Sequence, residues 1–184
     1  MIGEGSLAQN RGPWCRIYSG KLYYPFQPQV EDIELLDIAH SLSMICRYNG
    51  QCARFYSVAE HSVLVSKMVP AEFALEGLLH DAAEAYCHDI MTPIKDGLLD
   101  YLKMLWKNEK VVRERFRLPN VESICVKRAD EEIYAIEIDQ LFPYHEDCRA
   151  PKGTRYMPIR ALTPFDAKIE FLARYAEVRG DVRV

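Results

Sequence analysis

A histidine–aspartate pair lies inside the most apolar stretch of the chain, and it is the clearest candidate in the sequence for metal binding or catalysis. His80 and Asp81 stand within LLHDAAEAY. A charged aspartate is seldom fully buried unless it is paired or coordinates a metal ion. A neutral imidazole nitrogen combined with a carboxylate oxygen suits Mn, Fe, Co, Ni or Zn. The pair therefore predicts a site for one divalent cation, with Mg as an alternative.

Two acids follow this doublet on the same segment. Glu84 comes one helical turn after His80 and faces the same side of the helix, whereas Asp89 lies near the helix end. The alternative interpretation is a helix with a few solvated acids. We favour the site, because LLHDAAEAY is too apolar for a surface that faces solvent.

Two further residues could complete a set of ligands, although neither is diagnostic alone. His61 follows S-V-A-E at 57–60, which predicts a capping box: the Ser57 hydroxyl accepts from a free N–H of the first turn, and the Glu60 carboxylate reaches back to the N–H of the cap. A single histidine on such a helix is more often a hydrogen-bonded core residue. Asp130 lies in SICVKRADEEIYAIEI, where it could equally be a surface acid beside Lys127. Their spacing alone does not decide between these interpretations.

The elements that must position these residues are helices. The hydrophobic spacing and the capping residues predict helices over about 32–48, 58–69, 70–86, 98–116, 122–141 and 163–180. The sequence therefore predicts an all-α fold of five or six main helices in a single domain over 1–184. Within it we distinguish an aromatic N-terminal segment (1–30), a core that carries the candidate site (31–141), a loop (142–162) and a C-terminal helix (163–180).

The N-terminal segment differs from the rest of the chain. Its aromatic residues follow no sustained helical period, and W-C-R-I-Y-S-G-K-L-Y-Y-P favours a short hairpin with Ser19-Gly20 at its turn. We therefore expect a hairpin or an irregular segment before the helical core.

Composition excludes several classes of protein. The formal net charge is −4, which argues against stable binding to nucleic acids. No apolar run approaches the roughly 20 residues that a membrane span needs, and the N-terminus lacks the pattern of a secretory signal. The six cysteines form no C-x-x-C pair and are typical of reduced thiols. We therefore expect a cytoplasmic protein that does not associate with membranes.

Three motifs occur in a characteristic order: SVAEHS at 57–62, LLHDAAEAYCHDIMTPIK at 78–95 and VKRAD at 126–130, with a looser match in DIAHSLSMICRYNG at 37–50. Together they resemble the HD-domain phosphohydrolases, and most strongly the small bacterial 5′-deoxynucleotidases and the phage dATP triphosphohydrolases. The resemblance covers roughly 30–140. It implies a single HD-domain helical bundle.

The resemblance also implies roles for individual residues. The metal ligands of the family fall on His61, His80, Asp81 and Asp130. The two acids that position or deprotonate water and manage the leaving group fall on Glu84 and Asp89. The residues implied to contact the phosphate are Arg47, Lys95 and Lys127, with Thr92 in the same T-P-x-K motif. His88 is the only histidine between the His80-Asp81 doublet and Asp130, so the resemblance implies a mononuclear site.

The substrate that the resemblance implies is a deoxynucleotide. We favour a deoxynucleoside triphosphate of the dATP kind, cleaved to deoxynucleoside and triphosphate, because the segment at 37–50 looks more like the phage enzymes. The alternatives are a 5′-deoxynucleotidase that acts on monophosphates and a catalytically silent HD protein that binds a nucleotide. A zinc peptidase is a weaker alternative, since the chain has no H-E-x-x-H motif.

Two further expectations concern the base and the assembly. Trp14 and Tyr18 could stack on a base, although rings of this kind also pack into cores. Relatives of this type form dimers or rings, so a homo-oligomer is expected.

Overall fold

The computed structural model describes residues 11–142 and 156–180 of the 184-residue chain. Residues 1–10 of the predicted N-terminal segment, and residues 143–155 of the predicted loop, lie outside these ranges. The regular secondary structure of the described part is helical apart from one short hairpin, which confirms the predicted all-α class. Its α-helices are α1 (Leu35–Met44), α2 (Val58–Met68), α3 (Ala74–Leu79), α4 (Glu84–Cys87), α5 (Thr92–Lys95), α6 (Leu99–Phe116), α7 (Ile124–Leu141) and α8 (Pro164–Arg179).

The predicted hairpin is confirmed. Strand β1 (Cys15–Arg16) pairs in antiparallel fashion with β2 (Leu22–Tyr23). Gly20 in the connecting turn has a φ of +86°, a conformation that glycine adopts without a steric penalty. The hairpin is anchored to the helices, because the fully buried Tyr23 donates its hydroxyl hydrogen to Asn108 of α6.

The first helix is shorter than predicted. It ends at Met44 rather than near residue 48, because Ile45 turns extended and Cys46 forms an antiparallel bridge with Ser57. A 3-10 turn then covers Arg47–Gly50. The hydrophobic spacing continued past the end of the helix because Ile45 is buried and the three residues after it are partly buried.

The capping motif at the start of α2 is half confirmed. The hydroxyl of Ser57 accepts a hydrogen bond from the backbone N–H of Glu60 at 3.1 Å, as predicted. The Glu60 carboxylate, however, accepts hydrogen bonds from the backbone N–H groups of residues 160, 161 and 162. The prediction of a reciprocal box was wrong, since this non-helical segment supplies three donors that need an acceptor.

The helix predicted to run from Pro70 through the His-Asp doublet is interrupted. Pro70 precedes a 3-10 turn over Ala71–Phe73, and α3 ends at Leu79. The next four residues form tight turns with bonds between residues three apart, such as the 2.9 Å bond from the N–H of Glu84 to the carbonyl of Asp81. The doublet therefore lies at a break between α3 and α4, where bonds between residues three apart replace the regular α-helical bonds.

The two long helices and the last helix lie where the sequence predicts them. Helices α6 and α7 match their predicted ranges, and Arg117 ends α6 in the left-handed conformation. Thr163 caps α8 and Gly180 ends it with a φ of +72°. Residues 156–162 have no regular secondary structure, which confirms that part of the predicted loop.

Helix α2 is the centre of the fold and packs against α1, α3, α7 and α8. Most of its residues are buried. Gly77 of α3 allows the two helices to approach closely, since a Cβ atom there would lie 3.2 Å from the Cα of Ser66. This packing places the side chains of α2 between the α3–α4 break and α7.

Candidate metal centre

Four predicted ligand side chains converge between α2, the α3–α4 break and α7. The Nε2 atom of His61 lies 3.2 Å from Nε2 of His80 and 3.1 Å from an Oδ atom of Asp130. One Oδ atom of Asp81 lies 3.2 Å from Nε2 of His80 and 3.5 Å from Nε2 of His61. His61 is fully buried, whereas the Asp130 side chain is 41% exposed. The cluster thus has one face toward solvent.

The hydrogen bonds behind the two imidazoles determine which nitrogens face each other. Nδ1 of His80 lies 2.9 Å from the carbonyl oxygen of Gly77, which can only accept, so this nitrogen carries the hydrogen. Nδ1 of His61 lies 2.6 Å from a carboxylate oxygen of Glu137 and donates to it. In the neutral imidazoles both Nε2 atoms therefore carry lone pairs. Two such lone pairs at 3.2 Å, beside two carboxylates, repel each other, and the repulsion is removed by a proton on one nitrogen or by a metal cation between them.

The residue types and distances fit a metal ion. One ligand atom from each of His61, His80 and Asp130 lies within 4.8 Å of the others, so these three residues could hold a metal ion. Asp81 is not part of that group of three, but its distances to both imidazoles make it the natural fourth donor. Neutral imidazoles and carboxylates together suit a divalent transition metal.

The electrostatics of the cluster favour positive charge. Burial opposes protonation of His80, but the charge of Asp81 and its hydrogen bond outweigh burial and raise the pKa of His80 to about 9. Burial favours the neutral form of Asp81, yet the charges of His80, His61 and Arg47 hold its pKa well below its usual range. The pKa of Asp130 is also lowered, since the effect of burial is outweighed by the hydrogen bond and charge of His61.

Glu137 is a central residue of the site that the sequence analysis missed. It is fully buried in α7 and accepts hydrogen bonds from Tyr48, from Tyr56 at 2.7 Å and from Arg47 at 3.2 Å, besides the bond from His61. Burial raises the pKa of Glu137, but Arg47 and His61 outweigh it and lower the pKa to about 2. The available signal was its spacing, because it follows Asp130 by two helical turns on the same helix.

Arg47, the arginine implied to contact the phosphate, lies beside the cluster. One terminal nitrogen of its guanidinium lies 3.6 Å from the Asp81 carboxylate, and the other bonds to Glu137. Its Nε atom is buried and has no hydrogen-bond partner among the described residues. An arginine in this position presents nitrogen donors beside the candidate metal ligands.

Glu84, Asp89 and Lys95 form the acidic and basic margin of the cluster. Lys95 Nζ lies 3.3 Å from one carboxylate oxygen of Glu84, and the other oxygen is buried without a partner among the described residues. Burial and the charges of Asp81 and Asp89 raise the pKa of Glu84 well above its usual value. Burial also raises the pKa of Asp89, although Arg47 opposes this. These side chains are close enough to influence one another's ionisation.

Two of the residues predicted to contact the phosphate are not brought into contact with the cluster. Thr92 is the exposed first residue of α5, and Lys127 is exposed on α7 three residues before Asp130. Within the described ranges, the side chain of Lys127 forms no hydrogen bond or ion pair. Their predicted roles stay predictions.

The two predicted stacking residues lie on the hairpin and are exposed rather than part of the core. Trp14 is 57% exposed and Tyr18 is 53% exposed. Tyr18 stacks on His40 of α1 with ring centroids 3.7 Å apart, and Lys168 of α8 lies over its ring. Tyr18 thus already has an aromatic partner, and Trp14 lies outside the cavity that Tyr18 lines.

Two cavities follow one face of α1. The first has a volume of about 640 Å³ and is lined by Tyr18, Asp37, Ser41 and Met44. The second has a volume of about 450 Å³, shares Ser41 and Met44 with the first, and extends to His88, the neighbour of Asp89. His88 is exposed and its Nδ1 lies 2.9 Å from the carbonyl of Asp89. The face of α1 thus forms a groove that leads toward the margin of the cluster.

Comparisons with known proteins identify relatives. Among the described residues, no helix has both the length and the apolar character needed to traverse a lipid bilayer. No protein-family model matches the chain. The chain is 50% identical over 124 residues to the uncharacterized protein YfdR of Escherichia coli, covering 67% of this chain and 70% of YfdR. It is 32% identical over 183 residues to an uncharacterized protein of Rhodobacter capsulatus, covering 88% of this chain and 93% of that protein. The chain therefore belongs to the protein family of YfdR and its Rhodobacter relative.

Proposed function

We propose that the protein is a metal-dependent phosphohydrolase of the HD type that cleaves a phosphate ester of a deoxynucleotide. One observation carries the proposal: two imidazole Nε2 atoms with fixed lone pairs meet two carboxylates beside an arginine and a lysine. His61, His80, Asp81 and Asp130 would hold one divalent cation of the Co, Mn, Zn, Fe, Ni or Mg type. The nearby cations suit an anionic substrate.

The reaction needs a Lewis acid, a placed water and neutralised phosphate charge. A divalent cation, when bound, supplies Lewis acidity toward a phosphoryl oxygen and favours ionisation of an attacking water. Arg47 and Lys95 neutralise the equatorial phosphoryl oxygens, which is most of what phosphoryl transfer demands of a protein. The partnerless oxygen of Glu84 is available to orient the water. Asp89 takes or returns the proton at the leaving oxygen.

The substrate that we favour is a deoxynucleoside triphosphate, with release of deoxynucleoside and triphosphate. Its nucleoside would lie in the groove along α1, where Tyr18 and Met44 line the wall. The groove volumes are in the range of small-molecule sites. A 5′-deoxynucleotidase acting on monophosphates is the alternative, since the same centre could bind either phosphate chain.

The test is an assay of dATP and dAMP with Co²⁺ or Mn²⁺, in which the released phosphate species is identified. Triphosphate released from dATP supports the favoured reaction, and orthophosphate released from dAMP supports the deoxynucleotidase. Binding of both nucleotides without release of either product would favour a catalytically silent binding protein. Chelator-sensitive peptide cleavage would favour a peptidase.

Assembly is a separate part of the proposal. We propose that copies of the chain associate, as the resemblance implies. Light scattering coupled to size-exclusion chromatography tests this, and a molar mass near the 21.3 kDa of one chain would contradict it.

A further inference from the structure

The Glu137 carboxylate is saturated with hydrogen-bond donors. An ionised carboxylate offers about four acceptor positions on its two oxygens. One oxygen accepts from Tyr56 and His61, and the other accepts from Tyr48 and Arg47. The side chain is fully buried, so water does not compete for these positions.

We propose that Glu137 is a positioning residue that fixes the metal-binding nitrogen of His61 and the guanidinium of Arg47 as one unit. The inference rests on the proposed function only in taking His61 as a metal ligand and Arg47 as a phosphate contact. It adds a residue to the site whose side chain touches neither the metal nor the substrate.

Glu137 determines the tautomer of the His61 imidazole. A neutral imidazole has one N–H and one lone pair, and the partner of the N–H decides which nitrogen keeps the lone pair. The 2.6 Å bond to Glu137 holds the hydrogen on Nδ1 of His61, so Nε2 points its lone pair at His80 and Asp130. Carboxylates in this position behind a ligating histidine orient the ring and increase its basicity.

Glu137 also determines which edge of the Arg47 guanidinium faces the candidate metal ligands. Glu137 holds one terminal nitrogen of the guanidinium at 3.2 Å, while the other faces Asp81 at 3.6 Å. The guanidinium is planar, so fixing one nitrogen sets the direction of the remaining donors. Tyr48 and Tyr56 hold the carboxylate itself, which leaves Glu137 little freedom to follow either partner.

Replacing Glu137 by Gln tests the proposal. The amide keeps the shape but replaces one oxygen by a donor, so that donor must face either the Nδ1–H of His61 or the N–H of Arg47. We expect Co²⁺ affinity, measured from the visible absorbance of the bound ion, to fall about 10- to 100-fold. Affinity of the Co²⁺-loaded protein for inorganic phosphate should fall as well.

Glu131→Gln is the matched control, since it makes the same substitution at an exposed glutamate of the same helix. Its Co²⁺ affinity should stay within about three-fold of wild type, because an exposed charge interacts only weakly with its surroundings. A folded Glu137→Gln protein with wild-type affinity for both Co²⁺ and phosphate would overturn the proposal.

A measurement on the unmodified protein covers the case in which the Gln variant does not fold. With ¹⁵N-labelled histidine and bound Zn²⁺, we expect the spectrum to show His61 protonated at Nδ1 and metal-bound at Nε2. Zn²⁺ on Nδ1, or a hydrogen on Nε2, would also overturn the proposal. Neither readout requires turnover, so absence of nucleotide hydrolysis would contradict the proposed function alone.

Discussion

Asp130 is the ligand whose role the residue pattern left most open, because it occupies a helix that also carries several exposed acids. Its carboxylate lies 3.1 Å from Nε2 of His61, and a substitution of Asp130 alone keeps the other three candidate ligands. We expect Asp130→Asn to lower Co²⁺ affinity at least about 10-fold, as an amide oxygen is a weaker and uncharged ligand.

Titration of Co²⁺ with the absorbance readout measures this change, and circular dichroism checks that the helices are intact. Asp139→Asn is the control, because Asp139 is an exposed acid on the same helix. Equal losses of affinity in the two variants would mean that Asp130 acts through general charge rather than as a ligand.

The two carboxylate oxygens of the buried Glu84 side chain have different environments. One of its oxygens accepts from Lys95 and the other has no partner among the described residues, although both lie inside the protein. We expect Glu84→Gln to retain Co²⁺ with wild-type affinity but to lower kcat by about 10²- to 10⁴-fold, the range of general acid–base effects.

Product formation from dATP or dAMP in steady state measures this effect, with metal content determined on the same sample. Full turnover in the Gln variant would remove Glu84 from the mechanism, and loss of metal would make it a ligand instead.

At the scale of elements, Glu60 connects the start of α2 to the segment before α8. Its carboxylate accepts three backbone N–H groups between residues 160 and 162, at 2.8 to 3.1 Å. Ala161 in this segment has a φ of +54°, which non-glycine residues adopt only when their surroundings hold them there. The bond network therefore stabilises a backbone that has no regular structure of its own.

Glu60→Ala should lower the free energy of unfolding by about 2–4 kcal/mol, because it leaves one buried and two partly buried backbone donors without an acceptor. Urea denaturation followed by circular dichroism measures the change. Glu72→Ala, at an exposed acid in the turn before α3, is the control and should shift the midpoint little. A Glu60 variant as stable as the control would show that water replaces the carboxylate.

The long helices could be predicted from local signals, whereas the short ones could not. Helices α6 and α7 have a hydrophobic period of their own, and α8 also has its own N-cap at Thr163, so local sequence was sufficient. The break at the His-Asp doublet and the early end of α1 depend on contacts with distant residues, such as the bridge between Cys46 and Ser57. The S-x-x-E motif predicted a local cap at Glu60, whereas the actual partners of its carboxylate lie about 100 residues away in the sequence.

The residues of the candidate site likewise include some that the sequence could predict and one, Glu137, that it could not. The resemblance, which rests on three motifs in order, predicted His61, His80, Asp81 and Asp130 as metal ligands, and their residue types suit a metal ion. Glu137 had no such motif, since a glutamate on a helix with several acids is ordinary in sequence. Only the packing of α7 against α2 shows that this one is buried behind His61.

On the scale of the whole molecule, the candidate ligands join parts of the chain that are distant in sequence. His61 belongs to α2, His80 to the α3–α4 break and Asp130 to α7, and α2 packs against both of the other elements. An unfolded chain would hold these residues far apart and bind an ion weakly. Binding of a metal ion to the folded state alone therefore adds to stability by mass action.

We expect Zn²⁺ or Co²⁺ at about 100 times its Kd to stabilise the fold by about 2.7 kcal/mol. For a protein of this size that gain corresponds to a rise in Tm of roughly 5–10 °C. Thermal unfolding after chelation and after readdition of the ion measures it. His61→Ala is the test variant, since it removes a ligand from the central helix and should abolish the shift whatever its own Tm. A shift that survives in this variant would place the ion elsewhere, because α2 would then no longer take part in binding it.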